Sequence, residues 1–406
     1  MGFSYWGPLL VERAAFNRRD HQLVQKAVEY LASIHSSDSP HLHLLLQSGY
    51  KPSQDVAEDL FARPNVATTE SIAIHKIIAH EYSNAIGLLE NDNSIQYLQR
   101  IETITQVLIL SRKWKSIDEL DSRLSSYAKS KGDKLEPNDR LLSTKIKLLF
   151  TAANYLQGRY LDCLRCFLTV LEEDATVIDV LTRESVCTFC TNDELVMMIS
   201  ISAIVALSLD HYEDFLQLED LAPFYNIAQP FSKWLSLLIQ TSYRDFLQEW
   251  DKIDSKCLSS LFLSQKWREA RKSMRDKIYV FYLRISNYVE IPYLSKTLQI
   301  DLKTVCDDLH ELIEGLKLNF IIKDLVVCYK NRYDISNLAD GLISSNQLLL
   351  ERSEAIRMQN DVLRSKVQES IITNNSREED RNCNRRSVNN VFDEGHEECN
   401  SMFETD

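Results

Sequence analysis

Cysteine carries the sharpest chemical suggestion in the chain. Cys163-Leu-Arg-Cys166 and Cys187-Thr-Phe-Cys190 are two Cys-x-x-Cys pairs separated by twenty residues, a spacing at which four thiolates can close a tetrahedral zinc site. The neighbouring residues oppose that reading. Cys163 and Cys166 fall inside an amphipathic stretch with Leu164, Phe167 and Val170, and no glycine or turn residue lets the chain bend back around a metal. The thiols read as small buried hydrophobes.

Histidine is weighed in the same way. His41-Leu-His43 opens the metal-binding motif of isopeptidases that cut ubiquitin-like modifiers, but the serine position of that motif is Lys51, so the ligand set stops short. His75 and His80, five apart, point to different sides of a helix, and none of the nine histidines joins a recognisable triad. Phosphate chemistry has no glycine-rich loop to work with, and no nucleophile elbow is present. The expected catalytic, cofactor-binding and metal-ligating residues are therefore none, and the chain is not expected to be an enzyme.

Composition points to helices. The 406 residues exceed what one hydrophobic core usually serves. Nine glycines and eight prolines fall far below the ~7% and ~5% of average usage. No proline lies between Pro137 and Pro223 or after Pro292, so long stretches lack helix breakers. A formal charge of −13 opposes binding to a phosphate backbone or to anionic lipid; neither nucleic acid nor membrane is expected as a partner. The longest apolar stretch, Leu195 to Leu209, carries three serines and falls short of the ~20 residues a membrane span needs. No secretory signal is expected, and an odd, scattered set of nine cysteines suits reduced thiols in cytoplasm and nucleus.

Helical periodicity is persistent from Thr69 onward. Leu98, Ile101, Ile104, Thr105 and Leu108 share one face, as do Leu142, Ile146, Leu149, Phe150 and Ala153, and both stripes read as core. Four polar breaks resemble one another: Lys113-Trp114, Arg159-Tyr160, His211-Tyr212 and Ser242-Tyr243, each followed by two residues and an apolar one. In stacked helical hairpins an aromatic at the start of the second helix packs back on the first. The array is expected to be tetratricopeptide-like.

After about Leu258 the character changes. Glu269 to Ile285 reads as a helix, Ile291 to Leu298 as a short one opening at Pro292, and Leu302 to Leu316 as a third with Gly315 near its end. Two β-rich runs follow, Asn319 to Ile322 and Leu325 to Tyr329, with Lys323-Asp324 between them. Three helices and then a hairpin is the order of a winged helix with a small antiparallel sheet. Its third helix carries Asp307, Asp308, Glu311 and Glu314 against Lys303 alone, unsuited to reading DNA. The unpaired hairpin edge bearing Val326, Val327 and Tyr329 is expected to add to a partner's sheet.

A last helix is expected from about Leu342 to Ile371. Leu348 and Leu349, Ala355 and Ile356, and Val362 and Leu363 recur as pairs every seven residues, which suits a helical bundle with other chains; folding back on its own domain is the alternative. The expected organisation is an N-terminal helical segment at 1–68, a helical-repeat array at 69–194 and a domain at 195–335. Within that domain the helical part is 195–260 and the winged helix 261–335, and a bundle helix at 336–372 follows. The tail, 373–406, has nine acidic and four basic residues and is expected to be disordered.

This order of parts resembles the PCI proteins of the proteasome lid, the COP-nine signalosome and translation initiation factor three, over roughly residues 80 to 370. Within them it looks most like the signalosome's first subunit, with the lid counterpart second. Tyr243 to Ile253, Pro292-Tyr-Leu-Ser-Lys-Thr-Leu298, Leu312-Ile-Glu-Gly315, Leu350 to Ile356 and Asp361 to Val367 carry the likeness. The resemblance implies a non-catalytic scaffold within a complex that removes a ubiquitin-like modifier from cullins (deneddylation). Its implied partners are other PCI subunits and a separate isopeptidase subunit, with cullin-RING ligases met indirectly. An mRNA-export or nucleic-acid-binding PCI protein would need a basic winged-helix surface, which this sequence lacks.

Overall fold

Capping chemistry sets where many of the helices begin. In the computed structural model, which describes residues 5–62, 68–92, 94–131, 136–174, 176–182, 189–330 and 333–383 (side chains of 333–338 and 366–383 excepted), four helices form the N-terminal group. They are α1 (Gly7–Phe16), α2 (His21–Ser33), α3 (Leu42–Leu46) and α4 (Gln54–Leu60). The array follows as α5 (Thr69–Ile78), α6 (Tyr82–Asn91), α7 (Tyr97–Leu110), α8 (Trp114–Lys131), α9 (Pro137–Gln157), α10 (Tyr160–Glu173), α11 (Val177–Thr182) and α12 (Asn192–Ala206). Asp20, Ser53 and Thr68 each accept a backbone N–H of the first turn of α2, α4 and α5, satisfying donors a helix start leaves open. Thr191 and Glu194 close a reciprocal capping box on α12.

The polar–aromatic repeat marks helix starts. Trp114, Tyr160 and Tyr243 are the first residues of their helices, and Tyr212 opens α13 (Tyr212–Leu216). The chain before three of them turns through a left-handed residue, Arg112 at φ 56°, Gly158 at φ 78° and Thr241 at φ 56°, the conformation that ends a helix by satisfying its last carbonyls. Two of the tyrosines pack back as expected: Tyr160 lies edge-on to Tyr155 at 6.0 Å, and the buried Tyr212 hydroxyl donates to the Ile204 carbonyl at 2.6 Å; Tyr243 instead meets Phe281 edge-on at 5.2 Å.

Next come α14 (Ala222–Ile227), α15 (Gln229–Ile239), α16 (Tyr243–Lys252), α17 (Asp254–Ser259) and α18 (Leu263–Ile285). Trp250 of α16 stands at the centre of an aromatic group, 4.9 Å from Phe246, 5.1 Å from Trp267 of α18 and 5.9 Å from Trp234 of α15. These rings fuse the array to the winged helix in one continuous core. Among the described residues no single helix is long and apolar enough to cross a membrane; α12, the apolar stretch of the sequence, is buried along most of its length.

The winged helix continues α18 with β1 (Tyr288–Glu290), α19 (Ile291–Leu298), α20 (Leu302–Gly315), β2 (Phe320–Lys323) and β3 (Val326–Tyr329). The sheet has three antiparallel strands in the order β1-β3-β2, one more than the sequence suggests. The β2–β3 turn falls at Asp324-Leu325, both at positive φ (49° and 61°), the two-residue geometry that matches strand twist. Residues to Tyr329 form one compact unit. The second holds α21 (Tyr333–Cys383), which begins before Leu342 and runs past Ile371; residues 384–406 of the expected tail lie outside the described residues.

Two cations, the half-buried Lys277 and the buried Arg13, pin the first unit. Lys277 of α18 donates to the carbonyls of Ile204, Val205 and Leu207 at 2.9, 2.8 and 2.5 Å, supplying the positive end group that α12 lacks in its own last turn. Arg13 of α1 meets Glu194 at 2.5 Å, both side chains under one-tenth exposed, and its guanidinium stacks over Tyr5 and Phe262 at 4.4 and 5.0 Å. Burial pushes the Glu194 carboxyl up, but hydrogen bonds and charge from Arg13, with help from Ser260 at 2.5 Å, outweigh it and hold it below the usual range.

Lys277→Met leaves three carbonyls without their cation and is expected to cost about 2 kcal/mol in urea unfolding. Glu194→Leu strands a buried guanidinium and should cost about 3–5 kcal/mol. Since the folded pKa of Glu194 lies below 4.5, the pair stabilises fully above that pH and its contribution is lost as pH falls through the depressed value. The gap between wild type and Glu194→Leu should therefore narrow in acid.

Candidate partner-binding surfaces

The winged-helix sheet is the first surface to place. β3 is the middle strand: it pairs β1 through Tyr288↔Cys328, Val289↔Val327 and Glu290↔Val326, and β2 through Phe320↔Tyr329 to Lys323↔Val326. Val326, Val327 and Tyr329 are thus not on an open edge, as the sequence reading has them. Val327 is fully buried against Val289 and belongs to the core, Val326 is half-buried and Tyr329 is exposed, its ring edge-on to Phe320 at 5.4 Å. β1 covers that edge. At three residues, wedged between a long helix and Pro292, it is too short to show alternation. Among the described residues the open edges are the outer sides of β1 and β2.

The third helix of the winged helix also differs from a plain acidic face. Asp308 of α20 is buried and accepts from Arg275 at 2.7 Å and from Tyr279 at 3.4 Å, and Glu311 pairs with Lys272. These acids tie α20 to α18. Asp307 and Glu314 remain on the exposed side.

α21 offers a long apolar stripe. Leu348, Leu349, Ile356, Val362 and Leu363 are each more than half exposed, Ala355 is exposed, and so is every other described side chain from 339 to 365. The seven-residue spacing keeps these pairs on one side of the helix. An isolated helix gains little from propensity alone, and burying such a stripe stabilises by about 1.5–3 kcal/mol per large side chain.

The thiols pack as hydrophobes. Cys163 lies fully buried beside Leu164 and Phe167 in the core. Burial pushes Cys163 and Cys257 up to about 12 and Cys166 to about 11, so these three are protonated at neutral pH. Cys187 lies outside the described residues.

One cluster escapes the sequence reading. His80 is not on a helix: α5 ends at Ile78, and His80 turns the chain at φ 61°. Its Nε2 lies 2.9 Å from one oxygen of Glu12 on α1, and His41, the residue capping α3, sets its Nε2 3.1 Å from the other. The imidazoles meet edge to face at 4.9 Å, and Tyr82 stacks on His80 at 5.4 Å. Burial would raise the Glu12 carboxyl, but the hydrogen bonds and charge of both histidines outweigh it and hold it down. Glu12, His41 and His80 come from three separate stretches of chain, so no local motif could announce them. His43 stays outside the cluster, against Gln47 at 3.3 Å.

A helical-hairpin array running into a winged helix, with an apolar-striped helix after it in sequence, defines a class of α-helical proteins rich in exposed surface. The chain belongs to the CSN11 family: the CSN11 N-terminal domain matches residues 4–271 and the CSN11 C-terminal domain residues 288–402. It is similar to Cop9 signalosome complex subunit 11 of Saccharomyces cerevisiae, 29% identical over 394 residues, covering 89% of this chain and 88% of the relative. COP9 signalosome complex subunit 11 of Eremothecium gossypii is 29% identical over 347 residues, 82% and 81% of the two chains. That of Kluyveromyces lactis is 26% identical over 314, 76% and 79%. The likeness to the signalosome's first subunit is corrected accordingly: the relatives are named subunit 11. An order of parts common to many such chains places the group and not the member.

Proposed function

We propose that this chain is a non-catalytic scaffold subunit of a COP9 signalosome, the complex that removes a ubiquitin-like modifier from cullins and so regulates cullin-RING ligases. The relatives' names support the complex, and the exposed heptad stripe of α21 is the observation that carries the scaffold role. Its partners are other PCI subunits and the isopeptidase subunit, with cullin-RING ligases reached only through the complex. It works in cytoplasm and nucleus.

The contact surfaces follow from exposure. Leu348, Leu349, Ala355, Ile356, Val362 and Leu363 enter a bundle with neighbouring helices, where each large side chain sheds water. At the sheet, Tyr329 and the outer sides of β1 and β2 meet the neighbouring subunit, while Val326 and Val327 hold the central strand that positions them. Main-chain groups on an open strand give affinity there.

Replacing Leu349, Ile356 and Leu363 together by glutamate is expected to weaken association by about a thousandfold or more. Affinity purification of the tagged wild-type chain should recover the isopeptidase and PCI subunits, and the variant, with an unchanged circular dichroism spectrum, should recover neither. Equal recovery by both chains would exclude the bundle.

A further inference from the structure

We infer that Glu12, His41 and His80 form a zinc-binding site that fastens the N-terminal helices to the head of the array. Among the described residues these three bring one imidazole nitrogen each and a carboxylate oxygen to within 4.8 Å of one another. Two imidazoles and one carboxylate are a known zinc set of three protein ligands, which leaves a fourth position for water. A cavity of about 270 Å³ opens beside them, lined by Tyr82, Ile109, Arg112, Leu156, Phe262 and Gln265 among others, with room for that water.

The donor types narrow the metal to a borderline divalent ion, of which zinc is the redox-inert case. Imidazole with carboxylate and no thiolate suits zinc over copper(I), and two nitrogens disfavour magnesium and calcium. Glu12 already faces both Nε2 atoms, one to each oxygen, at 2.9 and 3.1 Å. Those separations approach the spacing of ligand atoms about 2 Å from a shared zinc ion, so small rotations would admit the ion between them. In its absence each Nε2 must carry a proton to hold the carboxylate. Among the described residues His41 Nδ1 is buried and makes no hydrogen bond. Tyr82 stacked on His80 and the α5 end that fixes His80 at φ 61° preset the second ring.

The site has a structural consequence. Glu12 sits on α1 beside Arg13, His41 caps α3, and His80 joins α5 to α6. One ion would therefore cross-link α1 and α3, which contribute Val11, Ala14, Leu42 and Leu45 to a small separate core, to the α5–α6 turn at the head of the array. Glu12 is a ligand here and not a free base, so the site is a clip and no hydrolysis is assigned to it.

The test uses the full-length chain stripped with a chelator and titrated with Zn²⁺ by calorimetry. One equivalent should bind, with an affinity that falls in acid as protons compete for the ligand atoms. Thermal unfolding should shift upward with Zn²⁺ in the wild type. Glu12→Gln and His80→Gln should each lower the affinity by more than about a hundredfold and abolish the shift. Loading the wild type with Co²⁺ covers the case in which a variant does not fold: visible tetrahedral bands without a thiolate charge-transfer band are expected. No uptake of one equivalent by the wild type would overturn the site, leaving a cluster held by protons alone. Uptake unchanged in both folded variants, or a thiolate band, would equally overturn it by placing the metal elsewhere.

Discussion

The buried pair of Arg13 and Glu194 is the constraint on which the arrangement of the first unit turns. Neither charge can remain dry without the other, so α1 must dock where the capping box of α12 has already aimed the carboxylate. The same glutamate caps its own helix through Thr191, accepts the Ser260 hydroxyl and neutralises Arg13. Net stability from such a pair is small, because desolvation offsets attraction. Its effect is on register: a shift of α1 by one residue would strand both ions.

The same device recurs further along the chain. Lys277 binds the carbonyls at the other end of α12, and Arg275 with Asp308 ties α18 to α20. Apolar packing supplies the bulk of the stabilisation, most densely around Trp250, but it is non-directional. These ions add direction to it. The winged helix is thereby held to the array.

Much of this was legible in the sequence, for reasons of period and punctuation. The stripe at Leu98 to Leu108 is buried as expected, that from Leu142 to Ala153 is buried except for the half-buried Leu142, and the aromatics Trp114, Tyr160, Tyr212 and Tyr243 each open a helix. A local signal suffices where local geometry decides. The third strand was not legible, since Tyr288-Val-Glu290 gains its identity only by pairing with β3, and Val327 moved from an expected edge to the core as a result. Arg13 with Glu194, and Glu12 with two histidines, were invisible for the same reason: their partners are set by tertiary packing.

The central claim is that α21 carries more apolar surface than one chain can cover. Hydrogen exchange along α21 tests it most directly, comparing the free chain with the chain in its purified complex. The account predicts rapid exchange of the amides from Leu342 to Leu363 in the free chain and strong protection of the same amides in the complex. Equal protection in both states would contradict it.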